Sequence, residues 1–203
     1  MYNILESMEY KNHKIILTHS EDLEEYMNPR NWHKLTKMYC HHKNYTLGDE
    51  IINDSLDIRD FNSWDEVSKE LQKLQDIAII EPLSMYEHSG ITIYLGTGGC
   101  KFDSGQLGFV FITKDDLRKE YGCKRITKKI LEKAHKVLQM EVKNYDFYVR
   151  GEVYSCEVMD PEGEFVEDIS ETTLGYDNCK QMFINAKRHL DESLPPELEL
   201  LIA

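Results

Sequence analysis

Two periodicities divide the chain. In residues 64–75 the apolar Trp64, Val67, Leu71 and Leu74 recur three and four apart, the spacing of one helical face. Ser63 stands just before this run and Glu66 three residues later. That is the capping-box arrangement, which satisfies the first free N–H groups of a helix. The same logic predicts a helix over 114–121, with Thr113 as cap, Asp116 at the box position and Gly122 as the stop. A third helix is expected over 128–142 behind Thr127, with Ile130, Ala134, Val137, Leu138 and Val142 on its apolar face. A fourth covers 176–190, before Pro195 and Pro196 break the pattern.

Elsewhere the apolar runs are strand-sized. Residues 14–19 (KIILTH) read as a strand, followed by a short helix starting at Ser20 and stopped at Asn28-Pro29. Residues 31–50 read as a strand or irregular segment closing on the Gly48-Asp49 turn, and residues 50–63 as a polar loop. Residues 77–96 give two strands bent at His88-Ser89-Gly90, and 107–113 gives another. Residues 145–158 look strand-like with a bulge at Gly151. Pro161-Glu162-Gly163 is a turn, after which Phe165 and Val166 resume the pattern. Strands joined by short turns and interleaved with helices predict an α+β fold: an antiparallel or mixed sheet with helices packed mainly on one face. No linker or repeat interrupts the chain, so one domain over 1–203 is expected, with a tail at 192–203.

Composition narrows the class. Hydrophobic residues make up 41% and charged residues 30%, enough apolar surface for a folded core. No apolar run approaches the roughly 20 residues of a membrane-spanning helix, and the polar, acidic first ten residues lack the pattern of a signal peptide. Five cysteines without a CxxC pair fit reduced thiols, so the expected location is the cytoplasm. The net charge of −13 argues against direct, phosphate-driven binding to nucleic acid.

Charge is also unevenly placed. Residues 151–171 hold eight acids (Glu152, Glu157, Asp160, Glu162, Glu164, Glu167, Asp168 and Glu171) and no Lys or Arg. Residues 114–136 hold nine basic residues against four acids. Such blocks either pair, face water, or meet a partner of opposite sign. The acidic run is a candidate binding surface that imitates a phosphate backbone.

Two further constellations carry candidate chemistry. His88, Ser89, Asp103, Ser104 and Gln106 sit at the two ends of one predicted hairpin and form a candidate polar site if they converge. Asp-Ser-Gly and His-Ser-Gly are also good turn formers, and no GxSxG elbow accompanies them. Cys40, His41 and His42 are adjacent; on a strand only Cys40 and His42 share a face, with His88, Cys100 and Asp103 as further candidate ligands. Their spacing matches no standard zinc signature, so no metal and no cofactor is expected. The glycines of residues 96–99 lack the Lys-Ser/Thr of a phosphate-binding loop.

Several segments resemble a family of phage and mobile-element proteins: NPRNW at 28–32, MYCHHKNYTLGD at 38–49, PLSMYEHSGITI at 82–93, FDSGQLGFVFITKDDLRKEYG at 102–122 and EVKNYDFYVRGEVY at 141–154. The resemblance runs from about residue 14 to 190. The family pattern has a Trp where this chain has Phe102, and a more aspartate-rich stretch around Lys34-Leu35-Thr36. The resemblance implies a setting, a bacterial host cell, and no particular reaction. By analogy with small acidic phage proteins, it points to an inhibitor of a host nucleic-acid-targeting defence complex, of anti-CRISPR or anti-restriction type, whose partner presents a basic groove. The alternative is a small ligand- or metal-binding enzyme built around His88, Asp103 and Gln106.

Overall fold

The structure, a computed structural model, describes residues 3–20, 25–99 and 102–193. The described residues carry five α-helices and two four-stranded antiparallel sheets, an α+β fold. They divide into two compact units, one made of residues 1–27 and 151–203 and the other of residues 28–150. The sequence reads as one domain because the first unit is discontinuous. The chain leaves it after Met27 and returns at Gly151, so no polar linker marks either crossing.

In the discontinuous unit the sheet order is β1 (Asn3–Tyr10), β2 (His13–His19), β7 (Val153–Met159) and β8 (Glu171–Leu174). Strand β1 lies in the polar first ten residues. Its turn to β2 uses Lys11 and Asn12, both at positive φ, in a two-residue hairpin without the glycine that usually marks one. Ile15 and Leu17 of β2 and Cys156 and Val158 of β7 face the same way. They pack against Cys179, Met182, Ala186 and Leu190 of α5 (Cys179–Ser193). Helix α5 begins three residues later than expected, because residues 176–178 form a 3-10 turn ahead of it. Of the short helix expected after Ser20, residues 21–24 lie outside the described residues, and 25–27 form a 3-10 turn.

The continuous unit orders its sheet β3 (Lys37–Cys40), β6 (Ser104–Thr113), β4 (Ile77–Glu87) and β5 (Ile91–Leu95). Strand β6 is central and buried from Leu107 to Thr113. Phe109 and Phe111 turn one way, toward Val67 and Leu71 of α2 (Trp64–Leu74). Val110 and Ile112 turn the other, toward Ala134, Leu138 and Val142 of α4 (Lys128–Val149). This unit therefore has a helix on each face. Both faces of β6 being covered explains its unbroken apolar run.

The capping residues act as the sequence implies. Ser63, Thr113 and Thr127 accept the N–H of Glu66, Asp116 and Ile130 at the starts of α2, α3 (Lys114–Glu120) and α4. Two further stretches differ from the sequence reading. Residues 145–149 continue α4, because Leu138, Val142 and Tyr145 keep the helical spacing of its buried face, and Gly151 at φ +76 follows the helix end instead of bulging a strand. The 50–63 loop contains α1 (Glu50–Asn53), whose Asn53 accepts the N–H of Cys40 at 2.8 Å and donates to Leu47 O at 2.7 Å.

Candidate functional site

The acidic segment occupies β7, β8 and the connection between them. Gly163 N–H donates to Asp160 O at 3.0 Å, and Glu164 N–H donates to the Asp160 carboxylate at 2.8 Å, which closes the predicted turn. Phe165 then bridges back to Met159. Strand alternation puts Cys156 and Val158 inward and turns Glu157 away. Glu162, Glu164, Glu167 and Asp168 are exposed, while Glu152, Glu157, Asp160 and Glu171 are half-buried. Glu171 accepts the side-chain amide of Asn185 at 3.2 Å. Asp168 also lines a surface cleft of about 580 Å³ with His13, His189 and Glu192.

In the continuous unit a cavity of about 210 Å³ opens at the end of the β4–β6 pair, lined by His42, Met85, Glu87 and residues 102–107. Asp103, Ser104 and Gln106 line it. His88 and Ser89 do not line it. The strand pairing ends at Glu87, whose N–H donates to Asp103 O at 2.8 Å. The next residues turn: His88 N–H donates to Gly90 O at 3.1 Å, Ser89 sits at φ +58, and the His88 ring lies 6.3 Å from Tyr86. Glu87 takes the place that the sequence reading gave to His88. Its carboxylate accepts Tyr45 O–H at 2.8 Å, and His42 Nε2 stands 3.8 Å from its other oxygen. Tyr45 stacks on His42 with ring centroids 5.1 Å apart, and the hydrogen bond to Glu87 pushes the Tyr45 phenol up from its ordinary value.

The third member of the sequence cluster is not chemical. Burial pushes the Cys40 thiol up to about 12, so it stays protonated and makes a poor ligand or nucleophile. Cys100 lies outside the described residues. Among the described residues, no group of three or more His, Cys, Asp or Glu is gathered to hold a metal.

The most densely bonded polar cluster was not visible in the sequence. Arg30, 4% exposed, donates Nε and Nη2 to the two carboxylate oxygens of Asp49 at 3.0 and 2.7 Å. Its remaining bonds go to Thr36 Oγ1 at 3.0 Å and Thr36 O at 2.9 Å. Asp49 also accepts Met38 N–H at 2.8 Å, and Glu141 of α4 accepts the N–H groups of Leu35 and Thr36 at 2.8 and 3.0 Å. These residues satisfy one another and leave no group aimed at a ligand, so the cluster fastens the 28–36 segment to β3 and α4. The only local trace of it in the sequence is the Gly48-Asp49 turn.

Of the basic residues in 114–136, several pair locally: Lys114 with Asp76 at 2.6 Å, Lys119 with Asp115 at 2.8 Å and Lys128 with Glu132 at 4.0 Å. No helix of the described residues is long and apolar enough to cross a membrane. No family model, no curated protein and no solved structure matches the chain.

Proposed function

We propose that this protein acts by binding, as an acidic phage or mobile-element accessory protein in the cytoplasm of a bacterial host. Its partner is a host nucleic-acid-targeting defence protein with a basic groove, and binding blocks that groove. The observation that carries this reading is the segment 151–171. It gathers eight acids without a single Lys or Arg, and none of the eight is buried. Glu157, Glu162, Glu164, Glu167 and Asp168 make no ion pair among the described residues, so their charge is left for solvent or a partner. Like charges held side by side cost stability through self-repulsion, and a basic partner relieves that cost.

The test is a variant with Glu162→Lys, Glu164→Lys, Glu167→Lys and Asp168→Lys, compared with the wild type in capture from a host lysate followed by measured association rates. The reading expects loss of the captured partner in the variant and a wild-type association that slows as salt screens charge over a Debye length of ~8 Å. Unchanged capture by the folded variant refutes it.

The alternative, a small-ligand site, finds its support in the cavity of about 210 Å³, with Glu87 bonded to Tyr45 beside His42. That arrangement offers a carboxylate to a small cation. Stabilisation of the protein by small amines or guanidines, lost in Glu87→Gln, separates this reading from the first.

A further inference from the structure

Strand β4 is eleven residues long, but β5 covers only its second half, pairing Leu83–Glu87 with Ile91–Leu95. The cause is Pro82. Its carbonyl accepts Gly96 N–H at 2.8 Å, but it has no N–H to return, so the ladder stops there. Among the described residues, nothing pairs with residues 77–81 on that side. Strand alternation points the N–H and C=O of Ile80 the same way as those of Pro82, out of the sheet's edge.

This open half-edge lies along a groove of about 780 Å³. Ala78, Ile79 and Leu131 line it with apolar surface. Both Ala78 and Ile79 pack on the α4 side because the β4–β6 register shifts between Ile77 and Ile79. The other wall is the exposed side of α4, with Lys129, Lys133 and Lys136 one turn apart. None of these three lysines makes an ion pair among the described residues. Two acids lie nearby: Glu132, 4.0 Å from Lys128 at exposed positions, and Glu81, 3.4 Å from His135 Nε2, so the lysines outnumber them along this wall.

We infer that the groove between the first half of β4 and α4 receives an extended acidic peptide segment of a partner protein, which adds as a strand beside Ile80 while its carboxylates meet Lys129, Lys133 and Lys136. The open backbone groups select an extended chain, the apolar floor takes its uncharged side chains, and the lysine row selects acids. A nucleic-acid strand would use the lysines but match neither the floor nor the backbone groups, and the chain's charge of −13 opposes it. Two copies of this chain joined edge to edge would bring lysine row against lysine row. This surface belongs to the continuous unit and the 151–171 acids to the discontinuous one, and the two are of opposite sign, so either reading can fail without the other.

The experiment uses the full chain and a fluorescein-labelled peptide of alternating Glu and Val, followed by anisotropy and by hydrogen exchange of the Ile80 amide. Saturable binding that slows Ile80 exchange is expected. A variant carrying Lys129→Glu, Lys133→Glu and Lys136→Glu, all at exposed positions, should bind roughly tenfold more weakly, the size expected for three solvent-exposed ion pairs. The same peptide with Pro at its centre should lose the Ile80 protection. No binding, or binding without Ile80 protection, overturns the proposal. So does tighter binding of a single-stranded oligonucleotide that the peptide cannot displace. Concentration-dependent self-association lost in the lysine variant would also overturn it, in favour of a second copy as the occupant.

Discussion

Arg30 and Asp49 meet through two parallel hydrogen bonds, at 3.0 and 2.7 Å, with only 3% and 11% of their side chains exposed. Such a pair is costly to break from one side, because Arg30 then stays buried with only Glu141, at 3.8 Å, to face its charge. Asp49→Ala should therefore cost about 3–5 kcal/mol in urea denaturation. Arg30→Met combined with Asp49→Ala should cost clearly less than the sum of the two single changes, since both remove the same pair of hydrogen bonds. A single-variant cost under ~1 kcal/mol, the range of a solvated surface pair, would show that the guanidinium can reach water.

Gly108 and Gly105 lie three residues apart on β6 and should respond oppositely to alanine. A Cβ on Gly108 would sit 1.9 Å from Tyr39 O, inside the β3–β6 pairing, whereas one on Gly105 meets nothing within 4 Å. Gly108→Ala should reach or exceed the upper end of the ~1–3 kcal/mol seen for overpacking. Gly105→Ala should be neutral or slightly stabilising. Equal melting temperatures for the two variants would contradict the β3–β6 register.

Two aspartates should give opposite acid dependence. Burial raises Asp146 above the ordinary carboxylate value, although its carboxylate accepts Ile93 N–H at 2.7 Å and faces Arg150 at 3.4 Å. A raised folded-state value means that its contribution is present at low pH and lost as pH rises through that value. Asp146→Asn should therefore gain on the wild type as pH rises across this window. Asp116 is the reverse: burial pushes it up, but its bonds to Lys37 at 2.6 Å and Thr113 at 2.6 Å outweigh that and hold it low. Its contribution is present above the ordinary value and lost as pH falls through the lowered one. Asp116→Asn should thus fall behind the wild type as pH rises. Denaturation curves followed downward in pH from the ordinary carboxylate value for Asp116 and upward from it for Asp146 test both, and parallel curves for the three proteins would refute the assignment.

Thiol labelling should separate the cysteines. Burial pushes Cys40 and Cys156 up to about 12 and Cys179 to about 11, while Cys123 is only half-buried. In the native protein near pH ~8, iodoacetamide should modify Cys123 well before these three, and denaturant should level the rates. Fast native labelling of Cys40, read by peptide mass spectrometry, would mean that the 40–48 segment opens.

What the sequence made legible was local. Ser63, Thr113 and Thr127 act within three residues of themselves, so their helices start where the capping pattern put them. Glu66 shows the limit of such reading: its carboxylate accepts Asn62 N–H at 2.8 Å, one residue before the capping-box partner. Residues 145–149 were misread because Tyr145, Phe147 and Val149 are strand-favouring types, and only packing against the sheet decides for the helix. The Arg30 cluster was invisible because Glu141 meets Leu35 from 106 residues away. At the candidate cavity the sequence found Asp103, Ser104 and Gln106. It took His88 for its neighbour Glu87, since a shift of one residue past the last strand pair turns a side chain to another side.

The discontinuous unit sets an order of events during synthesis. His19 of β2 bonds Gly151 at the entrance to β7, a partner 132 residues further along the chain. With translation at ~5–20 residues per second, the β1–β2 hairpin leaves the ribosome and waits on the order of ten seconds for β7 to arrive. A lone hairpin is marginal in water, and during that interval Ile15 and Leu17 lack their partners from β7 and α5. The continuous unit has all its strands by Arg150 and can complete its sheet while the hairpin still waits. The acid-bearing strand β7 then docks on a hairpin made first, so the nascent protein gains its negative surface last.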